Sequence, residues 1–163
     1  MGFEIGILLK GLVIGIGGTI ALDIWAMTLQ VVVKTPAMNW AMVGRWLGHI
    51  PSGKLKHENI AAAEPIRGEA ALGWVFHYAI GLGYGLLLVF VCGSEWLAAP
   101  TVLPPVVLSL ALLVAPFCVM MPGLGFGIAG SKTPKPNVTR LKSLLGHTMF
   151  GLGMYVTALL IAP

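Results

Sequence analysis

Long apolar runs separated by two polar stretches set the pattern of this chain. Four runs, at about residues 5–33, 70–92, 101–121 and 141–161, reach the length of roughly 20 residues that a membrane-spanning helix needs. The polar stretches cover about residues 34–69 and 122–140. This pattern predicts an all-α protein, in which one integral membrane domain of residues 1–163 forms a bundle of four transmembrane helices.

Rows of small residues run along three of these helices at a spacing of about four positions, and each row contains an ionisable residue: Gly11, Gly15, Thr19 and Asp23; Gly73, His77, Gly81 and Gly85; Ser143, His147 and Gly151. Positions four apart share a helix face, and small residues let membrane helices approach closely. We therefore expect Asp23, His77 and His147 to face the inside of the bundle. An ionisable residue within a membrane is costly and indicates a functional site by default.

Composition supports the membrane assignment. The chain is 57% hydrophobic and 10% charged, whereas a soluble domain carries about 25% charged residues. The net charge of +4 does not indicate nucleic-acid binding, because the Lys and Arg residues other than Lys10 lie in or beside the two polar stretches. The expected partner is the lipid bilayer.

The basic residues also predict an orientation. They follow the first and third apolar runs, whereas the link near residues 93–100 and the C-terminal end carry none: Lys34, Arg45, Lys54, Lys56 and Arg67; Lys132, Lys135, Arg140 and Lys142. Because basic loops stay in the cytoplasm, we expect both polar stretches there and both termini outside.

The first polar stretch contains a candidate interfacial helix. Its aromatic and polar residues include Trp40, Arg45, Trp46 and His49, which is typical of a short helix lying among lipid headgroups. The remaining acidic and histidine residues, among them His57 and Glu69, are interpreted as a solvated face.

A repeat of 70 residues is visible in the second and fourth runs. His77 is followed by Gly81-Leu-Gly83, and His147 by Gly151-Leu-Gly153. This match suggests a parallel duplication of a helix hairpin.

The predicted orientation brings the three ionisable groups to comparable depth. At 1.5 Å per residue, His77 and His147 lie roughly 10 Å below the cytoplasmic surface, with Asp23 slightly deeper. Thr19, Cys118 and Met121 are expected to line the same region.

Several functions fit such a cluster. It could handle protons or a small solute, since histidine and carboxylate groups accept and release protons. Alternatively, the protein is a non-catalytic subunit or binds haem, a metal or a quinone, with His77 and His147 as the metal ligands. A purely structural role, in which the groups only join the helices, competes with both. The sequence identifies no cofactor.

No catalytic motif is present, so the sequence favours a protein that is not an enzyme. A bundle of this size suits a homo-oligomer or a place within a larger membrane complex.

Two segments carry a family resemblance. Residues 39–85, with GRWLGH at Gly44–His49, and residues 130–155, with SKTP at Ser131–Pro134, resemble proteins catalogued as domain of unknown function 2938. The resemblance implies a four-helix protein of the bacterial inner membrane, which would make the termini periplasmic. It implies no activity or ligand.

Overall fold

The computed structural model describes residues 5–162. Every regular element in that part of the chain is helical, as predicted. The helices are α1 (Ile5–Val32), α2 (Trp40–His49), α3 (Glu69–Ala98), α4 (Leu103–Ala111), α5 (Met121–Gly123) and α6 (Pro136–Ile161), with a π-helix at Pro116–Met120 before α5. Short 3₁₀ turns occur at Ile50–Ser52, Ile60–Ala62 and Ile128–Gly130.

Four helical segments of the described chain are long and apolar enough to cross a membrane: Ile5–Val32, Glu69–Ala98, Leu103–Gly123 and Pro136–Ile161. Their apolar windows have mean hydropathies between 1.6 and 2.3. The four predicted spans are therefore present. The protein is a multi-pass membrane protein whose helices contact lipid.

Two helix ends differ from the predicted positions, one near a glycine and one at a proline. The second run was expected to end at Cys92, and Gly93 indeed leaves the helical conformation at φ 71°, but helical turns resume and continue to Ala98. Glycine adopts such a φ readily because it has no Cβ. The last helix begins at Pro136 rather than near Leu141, since proline suits the first turn of a helix.

The described chain divides into two compact units. The first unit contains the residues up to Ala37, Tyr78–Ala111 and the residues from Leu145 onwards. The second contains Met38–His77 and Leu112–Leu144.

Glycines place α1 directly against the backbone of α3 in the first unit. A methyl carbon at Gly85 would meet the carbonyl oxygen of Gly11 and lie 2.7 Å from Cα of Gly15. A methyl at Gly15 would meet the carbonyl oxygen of Gly81. The small-residue rows of these two helices therefore form their contact, as the spacing predicts.

The other helices of the first unit also pack through small residues. A methyl at Gly153 would lie 3.0 Å from Cα of Gly18, so α6 approaches α1 closely. A methyl at Gly151 would lie 2.7 Å from the Ser109 hydroxyl of α4. Between these contacts lies an apolar core containing Ile14, Leu88, Val89, Phe150 and Met154.

The Gly81 and Gly151 contacts resemble each other. Gly81 faces the hydroxyl of Thr19 on α1, and Gly151 faces the hydroxyl of Ser109 on α4. Each glycine thus meets a small hydroxyl residue on the preceding span. This correspondence favours the duplication hypothesis, which stays a prediction.

Large apolar side chains cover the opposite face of α1. They recur every three or four positions and are exposed: Val13, Ile16, Ile20, Ile24, Met27 and Val31. The buried positions of this helix are Gly11, Ile14, Gly15, Gly18 and Thr19. Small residues inside and large apolar residues outside suit a helix in contact with lipid.

The second unit has its own core, which includes α2. Val43, Ile60 and Leu124 are fully buried, and Trp46 is 7% exposed. Asn39 caps α2 by accepting a hydrogen bond from the N–H of Ala41 at 3.0 Å, the expected role of asparagine at this position. The predicted helix is therefore present, but its Trp46 is packed inside protein.

Prolines make the third span irregular. Pro116 has no N–H to donate to the Leu112 carbonyl, which accepts from Ala115 at 3.1 Å instead. The π-helix follows, and the N–H of Met121 closes it on the Pro116 carbonyl.

Gly85→Ala should destabilise the protein, because the added methyl meets backbone atoms that cannot turn away. We expect a cost of about 1–3 kcal/mol and a clearly lower melting temperature in detergent. Gly83→Ala is the matched control, since no atom lies within 4 Å of a methyl there. Alanine is favoured over glycine in a helix by about 1 kcal/mol, so the control should melt at or above the wild-type temperature. Equal melting temperatures for the two variants would contradict the close approach of α1 and α3.

Candidate functional site

Asp23 lies in the interior of α1 and is hydrogen-bonded to α3. The Tyr78 hydroxyl donates to Oδ2 of Asp23 at 3.0 Å. Both side chains are half-buried and belong to the first unit. A carboxylate accepts hydrogen bonds, whereas a phenol both donates and accepts, so this pair can exchange donor and acceptor roles when a proton arrives.

Thr19 lies one turn before Asp23 on the same face of α1. It is 1% exposed, and its hydroxyl donates to the Gly15 carbonyl at 2.8 Å. Small polar residues therefore continue along the buried face of α1 up to Asp23.

His77 is held by aromatic rings in the second unit. It is 6% exposed. Its ring stacks on Trp40 with centroids 4.0 Å apart and meets Trp74 edge-on at 5.6 Å. Close packing of α2 on α3 brings Trp40 there, because a methyl at Gly73 would meet the carbonyl oxygen of Trp40.

The remaining predicted residues lie in different surroundings. His147 is half-buried on α6, one turn before Gly151, and belongs to the first unit. In the second unit, Cys118 is exposed and Met121 is 7% exposed. The joint cluster of Asp23, His77 and His147 stays a prediction. Within residues 5–162, no group of three or more His, Cys, Asp or Glu side chains is arranged to hold a metal ion.

Arg45 organises the polar side of the second unit. Its Nε and Nη2 donate in parallel to the two carboxylate oxygens of Glu69, each at 2.8 Å. Its Nη1 donates to the carbonyl oxygens of Ile60 at 3.2 Å and Ala63 at 3.0 Å. The side chains of Arg45 and Glu69 are 13% and 18% exposed. Hydrogen bonds to Glu69 raise the pKa of the Arg45 guanidinium.

The sequence suggested that Glu69 belongs to a solvated face. This interpretation is wrong, because its carboxylate is paired with Arg45 and largely buried. Its Oε2 also accepts from the N–H of Ile66 at 3.1 Å. The pair joins α2, the segment 60–63 and the start of α3. The sequence signal was present in GRWLGH, but the partner of its arginine lies 24 positions further along the chain.

His49 and His57 also form a contact that the sequence did not reveal. Nδ1 of His49 lies 2.9 Å from Nε2 of His57, so one ring donates to the other. The Trp46 indole N–H donates to the Leu55 carbonyl at 2.9 Å. Thus Trp40, Arg45, Trp46 and His49, the residues predicted to be interfacial, each contact protein groups.

The model of the family described as "Protein of unknown function (DUF2938)" matches residues 12–161. No curated protein and no solved structure matches the chain.

Arg45→Lys should loosen the segment 50–68, because an ammonium cannot replace the parallel pair of hydrogen bonds to Glu69. We expect cleavage of this segment by proteinase K to become roughly fivefold faster. Arg67→Lys is the matched control, since Arg67 is exposed in the same segment. Equal cleavage rates for wild type and both variants would contradict the organising role of Arg45.

Proposed function

The chain belongs to the DUF2938 family, and on that premise we propose that it is a bacterial inner-membrane protein that handles protons, or a small solute coupled to them, at Asp23. The observation that carries the proposal is the hydrogen bond between Asp23 and Tyr78 within two apolar, membrane-length helices. An ionisable group in such a helix is expensive to keep unless it has a role.

The proposed orientation places the basic segments in the cytoplasm and both termini in the periplasm. The segment between α1 and α3 carries Lys34, Arg45, Lys54, Lys56 and Arg67, and the segment before α6 carries Lys132 and Lys135. The connection between α3 and α4 has no Lys or Arg. This asymmetry supports the orientation through the positive-inside rule.

The proposed chemistry is a reversible protonation of Asp23. As a carboxylate, Asp23 accepts the hydrogen bond from Tyr78. Once protonated, Asp23 carries a donor of its own, and the Tyr78 oxygen can accept it. The hydroxyl therefore stabilises either protonation state by rotating, which a proton-handling carboxylate needs. His77 and His147 are the residues that we propose as further members of the path.

No described contact favours the alternatives, which are a non-catalytic subunit or a membrane protein that binds haem, a metal or a quinone. The competing structural role, in which Asp23 and Tyr78 only join α1 to α3, predicts a different outcome on mutation. Assembly as a homo-oligomer or within a larger complex stays a prediction.

Asp23→Asn should abolish proton movement while leaving the protein folded, because an amide still accepts the Tyr78 hydrogen bond but cannot carry the proton. The measurement is the decay of a pH gradient in liposomes containing the purified protein and a pH-sensitive dye. We expect the rate in the variant to fall about tenfold or more, to the level of empty liposomes. Tyr78→Phe should slow the decay less strongly.

Glu95→Gln is the matched control, since it makes the same acid-to-amide change at an exposed residue near the end of α3. It should leave the decay unchanged. A gradient that decays equally fast with wild type and folded Asp23→Asn would contradict the proposal, and so would a wild-type protein that leaves the gradient intact.

A further inference from the structure

A cavity in the second unit lies apart from Asp23 and has a different chemistry. Its volume is about 600 Å³. Residues of two segments line it: Lys56, His57 and Glu58 from the first, and Pro122, Gly125, Gly127, Ile128, Ser131 and Lys132 from the second. Small-molecule sites in proteins have volumes of about 300–1,000 Å³. The cavity therefore has room for a small organic molecule.

Backbone hydrogen bonds fix the two walls to each other. The N–H of His57 donates to the Gly123 carbonyl at 2.9 Å, and the N–H of Ile60 donates to the Leu124 carbonyl at 3.2 Å. A methyl at Gly125 would meet the carbonyl oxygen of Glu58. The walls are thus in direct contact beside the cavity, so its shape does not depend on side chains alone.

The glycine-rich wall is a closed loop. The N–H of Lys132 donates to the Phe126 carbonyl at 2.8 Å, which joins the two ends of residues 126–132. Within the loop, Ala129 has a φ of 48°, unusual for a residue with a Cβ. The Nε of Arg140 donates to the carbonyl oxygen of Ala129 at 3.1 Å and stabilises this turn.

The charges at the cavity are mainly positive. Lys56 and Lys132 are both exposed, and each brings an ammonium group to the cavity lining. His57 adds an imidazole, and Glu58 is the acidic residue of the lining. Ser131 supplies a hydroxyl, and Gly127 leaves room for the Lys132 chain, whose Cγ would lie 3.0 Å from a methyl there.

From this geometry we propose that the cavity binds the phosphate group of a small organic phosphate or of a phospholipid. Lysine ammonium groups bind phosphate as point charges, and a hydroxyl adds a donor to a phosphate oxygen. The two lysines of the lining carry more positive charge than the single carboxylate of Glu58 carries negative charge. The inference rests on residues other than Asp23 and Tyr78, so it stands or falls independently of proton handling.

The test compares two double variants of equal net charge in the full-length protein. Lys56→Gln with Lys132→Gln removes both ammonium groups from the cavity. Lys54→Gln with Lys135→Gln removes two exposed lysines from the same polar stretches but outside the lining. Melting temperatures close to that of wild type verify that both double variants are folded.

Two arms identify the source of the phosphate, each in a detergent without phosphate. Calorimetry measures binding of glycerol phosphate, with glycerol as the counterpart that lacks the charged group. Native mass spectrometry measures retention of phosphatidic acid, with diacylglycerol as its counterpart. Binding in the first arm identifies a soluble phosphate, and binding in the second alone identifies a lipid headgroup.

For whichever phosphate compound wild type binds, we expect the cavity double variant to have an affinity about tenfold or more weaker. The affinity of the control double variant should stay within about twofold of wild type. The proposal is overturned if wild type binds neither phosphate compound. It is also overturned if the two double variants weaken binding equally, or if neither does.

Discussion

The close approach of helix backbones is the constraint on which the first unit depends. Lipid is as apolar as a leucine side chain, so membrane helices gain little by burying large apolar residues against each other. They gain instead from dispersion contacts, which require small residues at the crossing. Gly11 and Gly15 on α1 and Gly81 and Gly85 on α3 meet this requirement. The same contact brings Asp23 within hydrogen-bonding distance of Tyr78, so the polar pair depends on the glycines.

The second unit is held together by different interactions. It has short helices and turns, whose many backbone carbonyls need donors. Arg45 supplies donors to Ile60 and Ala63 while its other nitrogens bind Glu69. Planar guanidinium geometry allows one side chain to join three segments, and the apolar core with Val43 and Leu124 packs beside it. This arrangement also explains why Trp46 is buried, although tryptophan in such a segment is typical of a membrane interface.

The sequence predicted the helices and the helix faces well, because both follow from local periodicity. Rows of small residues at a spacing of four indicated the faces through which α1 and α3 approach each other, but not that these two helices are partners. Gly11 meets Gly85 and Gly15 meets Gly81, so the antiparallel rows run towards Asp23 and the turn of α3 that contains Tyr78. Contacts across loops were not predictable. The pairing of Arg45 with Glu69, and of His49 with His57, depends on turns at Gly53 and Gly68, each with a positive φ. No periodic signal encodes where such turns lead.

The glycine contacts also limit how the chain can evolve. At Gly85 the neighbours of a new side chain are backbone atoms of Gly11 and Gly15, and no second substitution makes a backbone smaller. At Gly17 the nearest atoms all belong to the side chain of Thr157, which a change to glycine would remove. A second, compensating substitution is therefore possible for residues 17 and 157, but not for Gly15 and Gly85, whose nearest neighbours are all backbone atoms. Among descendants of this sequence, Gly15 and Gly85 should persist as glycine, while residues 17 and 157 are free to change together.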